Sequence, residues 1–192
     1  MINRAPRAVF LSAWLCATAL VARSSMGAEG ARLHKEGKYF EVAIPPGWTP
    51  EEQSFGLSPD EKKIYGVTLA GPYTESVVEA RMSAHYCAPD NLMDKTPEKY
   101  IRVHSYSADK SGVGVSSGTV GGLPAKRFEN VSFRLIPPRS LNAKKIGIRE
   151  SFAVIPLKRG YYALRYTAAA EDFAAGLPAF EAFLSSFKPL LK

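Results

Sequence analysis

The residue types that most resemble a chemical site lie between His85 and Asp90, in the sequence His-Tyr-Cys-Ala-Pro-Asp. If this segment is a β-strand, residues two apart share a face, so His85 and Cys87 point the same way. Imidazole and thiolate suit zinc or copper, and Asp90 would add an oxygen. Such a site needs a further ligand, which the fold would have to supply by bringing His104 close. The sequence favours the simpler interpretation, a half-buried sheet residue beside an inert buried thiol, and keeps His85, Cys87 and Asp90 as weak metal candidates.

Nucleophilic catalysis has less support. The chain holds no Gly-x-Ser-x-Gly elbow that would present a reactive serine. The segments Gly112-Val113-Gly114 and Gly121-Gly122 resemble phosphate-binding loops, but neither leads into a helix that carries Lys-Ser or Lys-Thr. We therefore expect a protein that is not an enzyme, with no catalytic residues and no cofactor.

Two features indicate contact surfaces. Basic residues surround the connection from Pro137 to Lys145, namely Arg134, Arg139, Lys144, Lys145 and Arg149. They would suit anionic lipid headgroups or an acidic partner, although a solvated rim is the ordinary explanation. Adjacent Tyr161 and Tyr162 must point to opposite faces of a strand, so one of them is a protein-contact anchor unless a helix covers it.

The N-terminus has the pattern of a secretory leader. Arg4 and Arg7 precede an apolar run that is short for a membrane span, and small residues follow it. Residues 1–28 are therefore predicted to be a signal peptide, with an uncleaved N-terminal membrane anchor as the alternative. Removing them, Arg23 included, lowers the formal net charge from +7 to +4. This mild basicity, without a long Lys/Arg block, does not favour nucleic acid as a partner.

Beyond the leader we expect a flexible lead-in at residues 29–38 and one domain at residues 39–192. A chain of this length can bury a core without a staple. Only Cys87 remains after the leader, so an internal disulfide is excluded.

The hydrophobic patterns predict an antiparallel sheet of about six or seven strands with helices packed on it, an α+β fold. Apolar residues alternate in the first predicted strand, with Phe40, Val42 and Ile44 on one face. Thr96 and Pro97 are typical of the start of a helix that runs to about Tyr106. Further predicted strands are 64–69, 77–87, 116–119, 125–136 with a β-bulge near Glu129-Asn130, 146–157 and 161–168.

The C-terminal segment combines a strand with an apolar helical stripe. Tyr162, Leu164 and Tyr166 share one face of the strand, and the stripe that follows consists of Phe173, Leu177, Phe180, Leu184 and Phe187. Gly176-Leu177-Pro178 interrupts the stripe, because proline is costly inside a helix. We expect a turn or short helix at 170–175 and a main helix at 177–187 with Phe183 at its edge. The alternative is one kinked helix from about Ala170.

Several segments together resemble the PsbP-like family. They are Phe40-x-Val42-x-Ile44-Pro45-x-Gly47-Trp48, Val120-x-Gly122-x-Pro124-Ala125-x-Arg127-Phe128, the strand pair around Gly160 and the ending Phe180 to Phe187. The resemblance implies a three-layer α-β-α sandwich around a central antiparallel sheet, as in the photosystem subunit PsbP and the Mog-type Ran-binding factor. It also implies an accessory or binding role. The short lead-in and secretory-type leader differ from plant PsbP, so we expect a bacterial-type exported relative.

The functional expectation is a non-catalytic accessory or binding protein that acts through protein contacts in the envelope. It would be exported, periplasmic or secreted, with proteins as its partners and peripheral membrane contact as a further option. A periplasmic protein that binds a small ligand or metal is the alternative, and an unrecognised hydrolase is the third hypothesis.

Overall fold

The computed structural model describes residues 31–52, 56–72, 74–105 and 114–191. The predicted signal peptide and the residues Gly112 and Val113 lie outside these ranges. The helices are α1 Pro59–Lys62, α2 Pro97–His104 and α3 Phe173–Ser186. The strands are β1 Arg32–Glu36, β2 Phe40–Ile44, β3 Thr49–Pro50, β4 Ile64–Ala70, β5 Arg81–Cys87, β6 Ser116–Val120, β7 Leu123–Ile136, β8 Lys144–Pro156, β9 Tyr161–Ala169 and β10 Lys188–Pro189.

A central sheet of seven strands organises the described part of the chain, in the order β3-β4-β5-β9-β8-β7-β6. A smaller sheet has the order β1-β2-β10, and neighbouring strands in both sheets are antiparallel. Helix α3 and the small sheet cover one face of the central sheet, whereas α1 and α2 cover the other. The predicted α+β class with a central antiparallel sheet is confirmed, and its layers follow the α-β-α order.

Strand β9 lies in the middle of the sheet, between β5 and β8, and is buried on both faces. Tyr162, Leu164 and Tyr166 face α3 and the small sheet, as their spacing predicts. Tyr161 and Ala163 face the side of α2. A strand covered on both sides needs apolar side chains at nearly every position, which explains its sequence.

Helix α3 is continuous through Pro178, so the predicted turn at 170–175 followed by a helix at 177–187 is wrong. Proline removes one backbone hydrogen bond, at a cost of about 3 kcal/mol in a helix interior. Burying each phenylalanine contributes about 1.5–3 kcal/mol. Phe173, Phe180 and Phe183 are all buried, so packing outweighs the proline. Phe183 therefore lies in the core and not at the edge of the helix.

Gly176 allows α3 to approach the sheet closely. A β-carbon at this position would lie 2.2 Å from Tyr166 Oη and 2.8 Å from Tyr166 Cζ. The Tyr166 ring lies 5.0 Å from the Phe173 ring and 5.7 Å from the Phe180 ring, and its hydroxyl donates to the Phe173 carbonyl at 3.2 Å. This glycine thus serves a contact between helix and strand, although its sequence context is typical of a turn.

The segment expected to be a flexible lead-in contains strand β1, which is a correction to the sequence prediction. Its register with β2 runs from Arg32 opposite Ile44 to Glu36 opposite Phe40. The strand is polar because it lies at the edge of the small sheet, where its side chains are largely exposed. Periodicity alone could not find a strand without an apolar face.

Two other boundaries also differ from the predictions. Strand β5 begins at Arg81, so residues 77–80 do not belong to it. The register between β7 and β8 is uninterrupted through Glu129 opposite Ser151 and Asn130 opposite Glu150, so the predicted β-bulge is absent from this pair of strands. The apparent change of face arises because Phe128 is buried on the α2 side, whereas Phe133 lies on an exposed extension of the strand.

The predicted start of helix α2 is confirmed, since Thr96 Oγ1 accepts the Lys99 amide at 3.2 Å.

We expect Gly176→Ala to destabilise the protein by about 1–3 kcal/mol, because the added methyl group overlaps Tyr166. This sign is opposite to the gain of about 1 kcal/mol that alanine brings to an unconstrained helix. Urea unfolding measures the change. The matched control is Gly114→Ala, where a β-carbon meets no atom within 4 Å. In a Tyr166→Phe background the cost of Gly176→Ala should fall; a stabilising Gly176→Ala would contradict the packing argument.

Candidate functional site

A cavity of about 580 Å³ lies between the central sheet and the α1–α2 side of the molecule. Three neighbouring strands, β4, β5 and β9, form its floor. The two helices, the loop before α2 and the residue after β3 form its walls. The floor residues are Ile64, Gly66, His85, Cys87, Tyr161, Ala163 and Arg165. The wall residues are Glu51, Pro59, Lys62, Met93, Asp94, Tyr100 and His104. We call this cavity the α2 pocket.

Small residues on both sides of His85 make room for the α2 pocket. In the sheet register, His85 lies between Gly66 on β4 and Ala163 on β9. A β-carbon on Gly66 would lie 2.1 Å from the Ala84 carbonyl oxygen and 2.8 Å from His85 Cα. Gly66 therefore permits close backbone approach, and the absence of larger side chains beside His85 leaves space above the sheet.

Helix α2 supplies an aromatic wall. The Tyr100 ring lies 4.2 Å from the His104 ring and 5.6 Å from the Tyr161 ring. Tyr100 also contacts the buried cluster that contains Phe128 and Phe152. The cap at the start of α2 and this packing on the sheet hold Tyr100 and His104 at the pocket.

The loop before α2 is fixed by buried Asn91. Its side-chain amide donates to the Ala88 carbonyl at 2.7 Å and to the Asp94 carbonyl at 2.9 Å, while its oxygen accepts the Met93 amide at 3.0 Å. The Tyr161 hydroxyl donates to the same Asp94 carbonyl at 2.8 Å. The Asp94 carboxylate lies 3.4 Å from Lys99 Nζ and 3.9 Å from His104 Nε2. This wall is therefore a fixed surface tied to the central strand.

Arg165 is held at the pocket by a buried carboxylate. Its Nε donates to Glu150 Oε1 at 3.1 Å, and a second guanidinium nitrogen bonds to the same oxygen. Glu150 is buried and also accepts the Thr167 hydroxyl at 3.1 Å. A buried carboxylate needs such partners, and the pairing fixes the position of the guanidinium group.

Burial keeps His85 and Cys87 on the pocket floor neutral. Together with the positive charges of Lys62 and Arg165, burial lowers the pKa of His85 to about 4. Burial also raises the pKa of the Cys87 thiol to about 11, although a hydrogen bond with the Tyr161 hydroxyl opposes that shift. For His104, burial lowers the pKa, Arg165 adds to the shift and Asp94 opposes it. At neutral pH the floor presents an uncharged imidazole and an uncharged thiol.

The structure brings together only part of the predicted metal set. His85 and Cys87 lie on the pocket floor, and His104 lies in the wall. Asp90 does not join them, because the chain turns away after β5 with the Ala88 amide bonded to the Lys63 carbonyl at 3.0 Å. Asp90 instead lies 3.8 Å from Lys63 Nζ at a separate cavity. Among the described residues, no group of three His, Cys, Asp or Glu side chains is placed to hold a metal ion.

The remaining candidate residues lie elsewhere. Tyr161 and Tyr162 are both fully buried, so neither is an exposed anchor. Arg149 pairs with Glu129 at 2.7 Å, whereas Arg134, Arg139, Lys144 and Lys145 are exposed on the hairpin of β7 and β8.

Sequence reasoning missed Lys62, Asp94 and Arg165 as pocket residues. One signal was present for Arg165, because a charged residue inside an apolar strand needs a buried partner. Gly66 gave a similar signal, since glycine inside a strand often marks a close approach. No sequence pattern around Lys62 distinguished it from its neighbour Lys63.

Comparisons with known proteins give the fold a context without a function. No protein-family model matches the chain, and no curated protein matches it. A solved Bacteroides thetaiotaomicron structure is similar at 10% identity and a TM-score of 0.47, covering 83% of this chain and 48% of that one. This chain thus spans about half the length of that protein. LpqN of Mycobacterium tuberculosis, described as involved in cell envelope biogenesis, is similar at 14% identity and a TM-score of 0.42, covering 78% of this chain and 82% of its own.

Neither similarity assigns an activity, and the PsbP-like resemblance stays a prediction. In the described ranges, none of the helices has the length and apolar character needed to cross a membrane.

We expect His85→Gln to reduce the loss of stability on acidification. Native His85 stays neutral down to about pH 4, whereas the unfolded residue takes up a proton below about pH 6.5. Stability from this residue is therefore lost as the pH falls between these values, by about 3 kcal/mol in total. Urea unfolding across this range should show a shallower decline for His85→Gln than for the unmodified protein.

The matched control is His34→Gln on strand β1, where the imidazole lies 3.1 Å from Glu36 near the surface. This variant should keep the steep decline. Parallel pH profiles for His85→Gln and the unmodified protein would contradict a His85 that stays neutral in the folded protein.

Proposed function

We propose that the protein is a non-catalytic, exported binding protein whose α2 pocket holds a small molecule with an apolar body and one anionic group. The observation that carries this proposal is the α2 pocket itself. Its volume of about 580 Å³ lies within the range of about 300–1,000 Å³ typical of ligand sites. Apolar and aromatic walls with a few converging polar groups are also the usual composition of such sites.

The apolar part of the ligand would lie against Tyr100 and Ile64, with fully buried Tyr161 packed against Tyr100. Tyr161 is held by its bond to the Asp94 carbonyl, and Tyr100 by its packing between Tyr161 and His104. Fixed aromatic rings bind a planar apolar group with little loss of side-chain entropy, because their own rotamers are already set.

The anionic group would lie at the His85 end of the pocket. Lys62 and Arg165 both line this end and both lower the pKa of His85, which supports an anion-binding role there. The neutral imidazole can accept or donate one further hydrogen bond. The carboxylates in the lining are engaged elsewhere, because Glu51 pairs with Arg81 at 3.0 Å and Asp94 with Lys99.

The protonation states support binding without catalysis. A thiol whose pKa is raised to about 11 is almost entirely protonated at neutral pH, and the thiolate is the reactive form. The neighbour of the Cys87 thiol is the Tyr161 hydroxyl, so the pair typical of a cysteine nucleophile and its base is not formed there. The described lining also contains no serine or threonine.

The sequence placed protein contacts first, and the buried tyrosines change that order. Their burial removes one candidate anchor for protein contacts, a role that the PsbP-like resemblance implied, and the cavity gives small-molecule binding a specific location. Export remains part of the proposal and rests on the leader pattern of residues 1–28.

Anilinonaphthalene sulfonate is a suitable probe, since it joins an aromatic body to one anion and fluoresces in apolar surroundings. We expect saturable binding at one site per chain. Lys62→Gln should weaken this binding roughly tenfold through loss of a charge-assisted contact. The neutral parent compound, phenylnaphthylamine, should bind both forms equally.

Lys63→Gln is the matched control, because the next residue in the chain lines a different cavity and pairs with Asp90. It should leave both affinities unchanged. Equal losses in the two variants, or fluorescence that does not saturate, would count against the pocket. Near-ultraviolet circular dichroism confirms that each variant is folded.

A further inference from the structure

The hairpin of β7 and β8 extends beyond the central sheet. Strand β9 pairs with β8 only from Ile148 onward, whereas β7 and β8 pair with each other as far as Ile136 opposite Lys144. Residues 132–147 therefore form a two-stranded extension, which we call the basic hairpin. Ile136 and Ile146 still pack against Val78 and Ile148 at its base, and the connection between the strands extends furthest from the sheet. Its connection between the strands includes a left-handed residue, Arg139, at φ 61°.

The basic hairpin carries a concentrated positive charge. It contains Arg134, Arg139, Lys144 and Lys145 and no acidic residue. All four side chains are exposed, and none forms an ion pair within the described part of the chain. Just below the hairpin the pattern changes, because Arg149 is neutralised by Glu129. The uncompensated charge thus lies on the projection and not on the sheet from which it extends.

Apolar side chains on the same projection are also exposed to water. Phe133 and Leu135 are 47% and 50% exposed on one face, and Leu141 in the connection is fully exposed. Lys145 Nζ lies 4.2 Å from the centre of the Phe133 ring, so cationic and apolar groups are in contact. Large apolar side chains beside unpaired cations on a projecting tip are costly to leave in water and indicate a contact surface.

The distribution of the cations favours a lipid surface over an acidic protein. In the register of the hairpin, Leu135 is opposite Lys145 and Ile136 is opposite Lys144, so cations lie on both faces. Cations on both faces near the tip suit a headgroup layer, which contacts an inserted tip on more than one side. Lysine and arginine can keep their charged ends among phosphates while their stems and the neighbouring leucines enter the apolar boundary.

We propose that the basic hairpin docks the protein on an anionic lipid surface, with Leu141 entering the interface and Arg139, Lys144 and Lys145 binding lipid phosphates. The attraction combines apolar burial with the negative surface potential of an anionic bilayer, as it does for other peripheral membrane segments. None of Arg139, Leu141, Lys144 and Lys145 lines the α2 pocket.

The test is vesicle co-sedimentation of the full chain, expressed with its own leader so that its N-terminus is the one left by export. Vesicles of equal parts phosphatidylglycerol and phosphatidylcholine are compared with phosphatidylcholine alone, which measures the binding that does not depend on anionic lipid. We expect salt-sensitive binding to the anionic vesicles. The triple variant Arg139→Gln, Lys144→Gln, Lys145→Gln should lose about a hundredfold in affinity, since each cation near an anionic surface contributes roughly fivefold.

A matched triple variant keeps the hairpin and removes the same charge elsewhere. Lys95→Gln, Arg102→Gln and Lys158→Gln alter exposed residues outside the hairpin and should retain most of the binding. Leu141→Ser should reduce anionic-vesicle binding about tenfold, because a buried leucine no longer contributes. Anilinonaphthalene sulfonate binding should be unchanged in all of these variants, which separates this result from the fate of the pocket.

Two results would overturn the proposal. Equal losses in the hairpin and control triples would assign vesicle binding to net charge alone. Binding of a polyglutamate peptide through the hairpin, without binding to anionic vesicles, would assign the surface to an acidic protein partner.

Discussion

The burial of strand β9 on both faces is the constraint on which the rest of the structure depends. Its adjacent tyrosines point in opposite directions, and each ends in a hydrogen bond to a different layer. Tyr161 donates to the Asp94 carbonyl at 2.8 Å on the α2 side, and Tyr162 donates to the Tyr39 carbonyl at 2.5 Å beside the small sheet. Burying a hydroxyl without a partner is costly, so these bonds fix both covering layers relative to the central strand.

Glycines at close approaches then decide how tightly the layers pack. Gly176 brings α3 onto Tyr166, and Gly66 brings the β4 backbone against His85. In a linear sequence both resemble breaks in a regular element, because glycine is the usual residue of turns and bulges. Here each lies within an intact helix or strand. The first gives the core its density, and the second leaves room for the pocket.

Charge is distributed in two ways that suit two kinds of contact. In the α2 pocket, Arg165 is held by buried Glu150, so its position is set by the protein before any ligand binds. On the basic hairpin, Lys144 and Arg139 extend into water without partners in the described chain. A fixed cation in a partly closed cavity favours selective binding of a small anion, whereas exposed cations on an extension favour a broad anionic surface.

The sequence by itself determined the local elements. Alternation identified β2, β4 and the two faces of β9, and Thr96-Pro97 identified the start of α2, because these signals act within a few residues. The exposed edge strand β1 lacked such a signal. Pro178 gave a signal for a helix break, but the aromatic packing of α3 outweighed it.

The pocket could not be predicted in the same way. Its floor joins His85 to Ala163, far apart in the chain, and whether His104 or Asp90 lies beside His85 depends on where a loop turns. Only the tertiary structure decided those neighbours, because strand order and register come from burial across the whole sheet and not from any single segment.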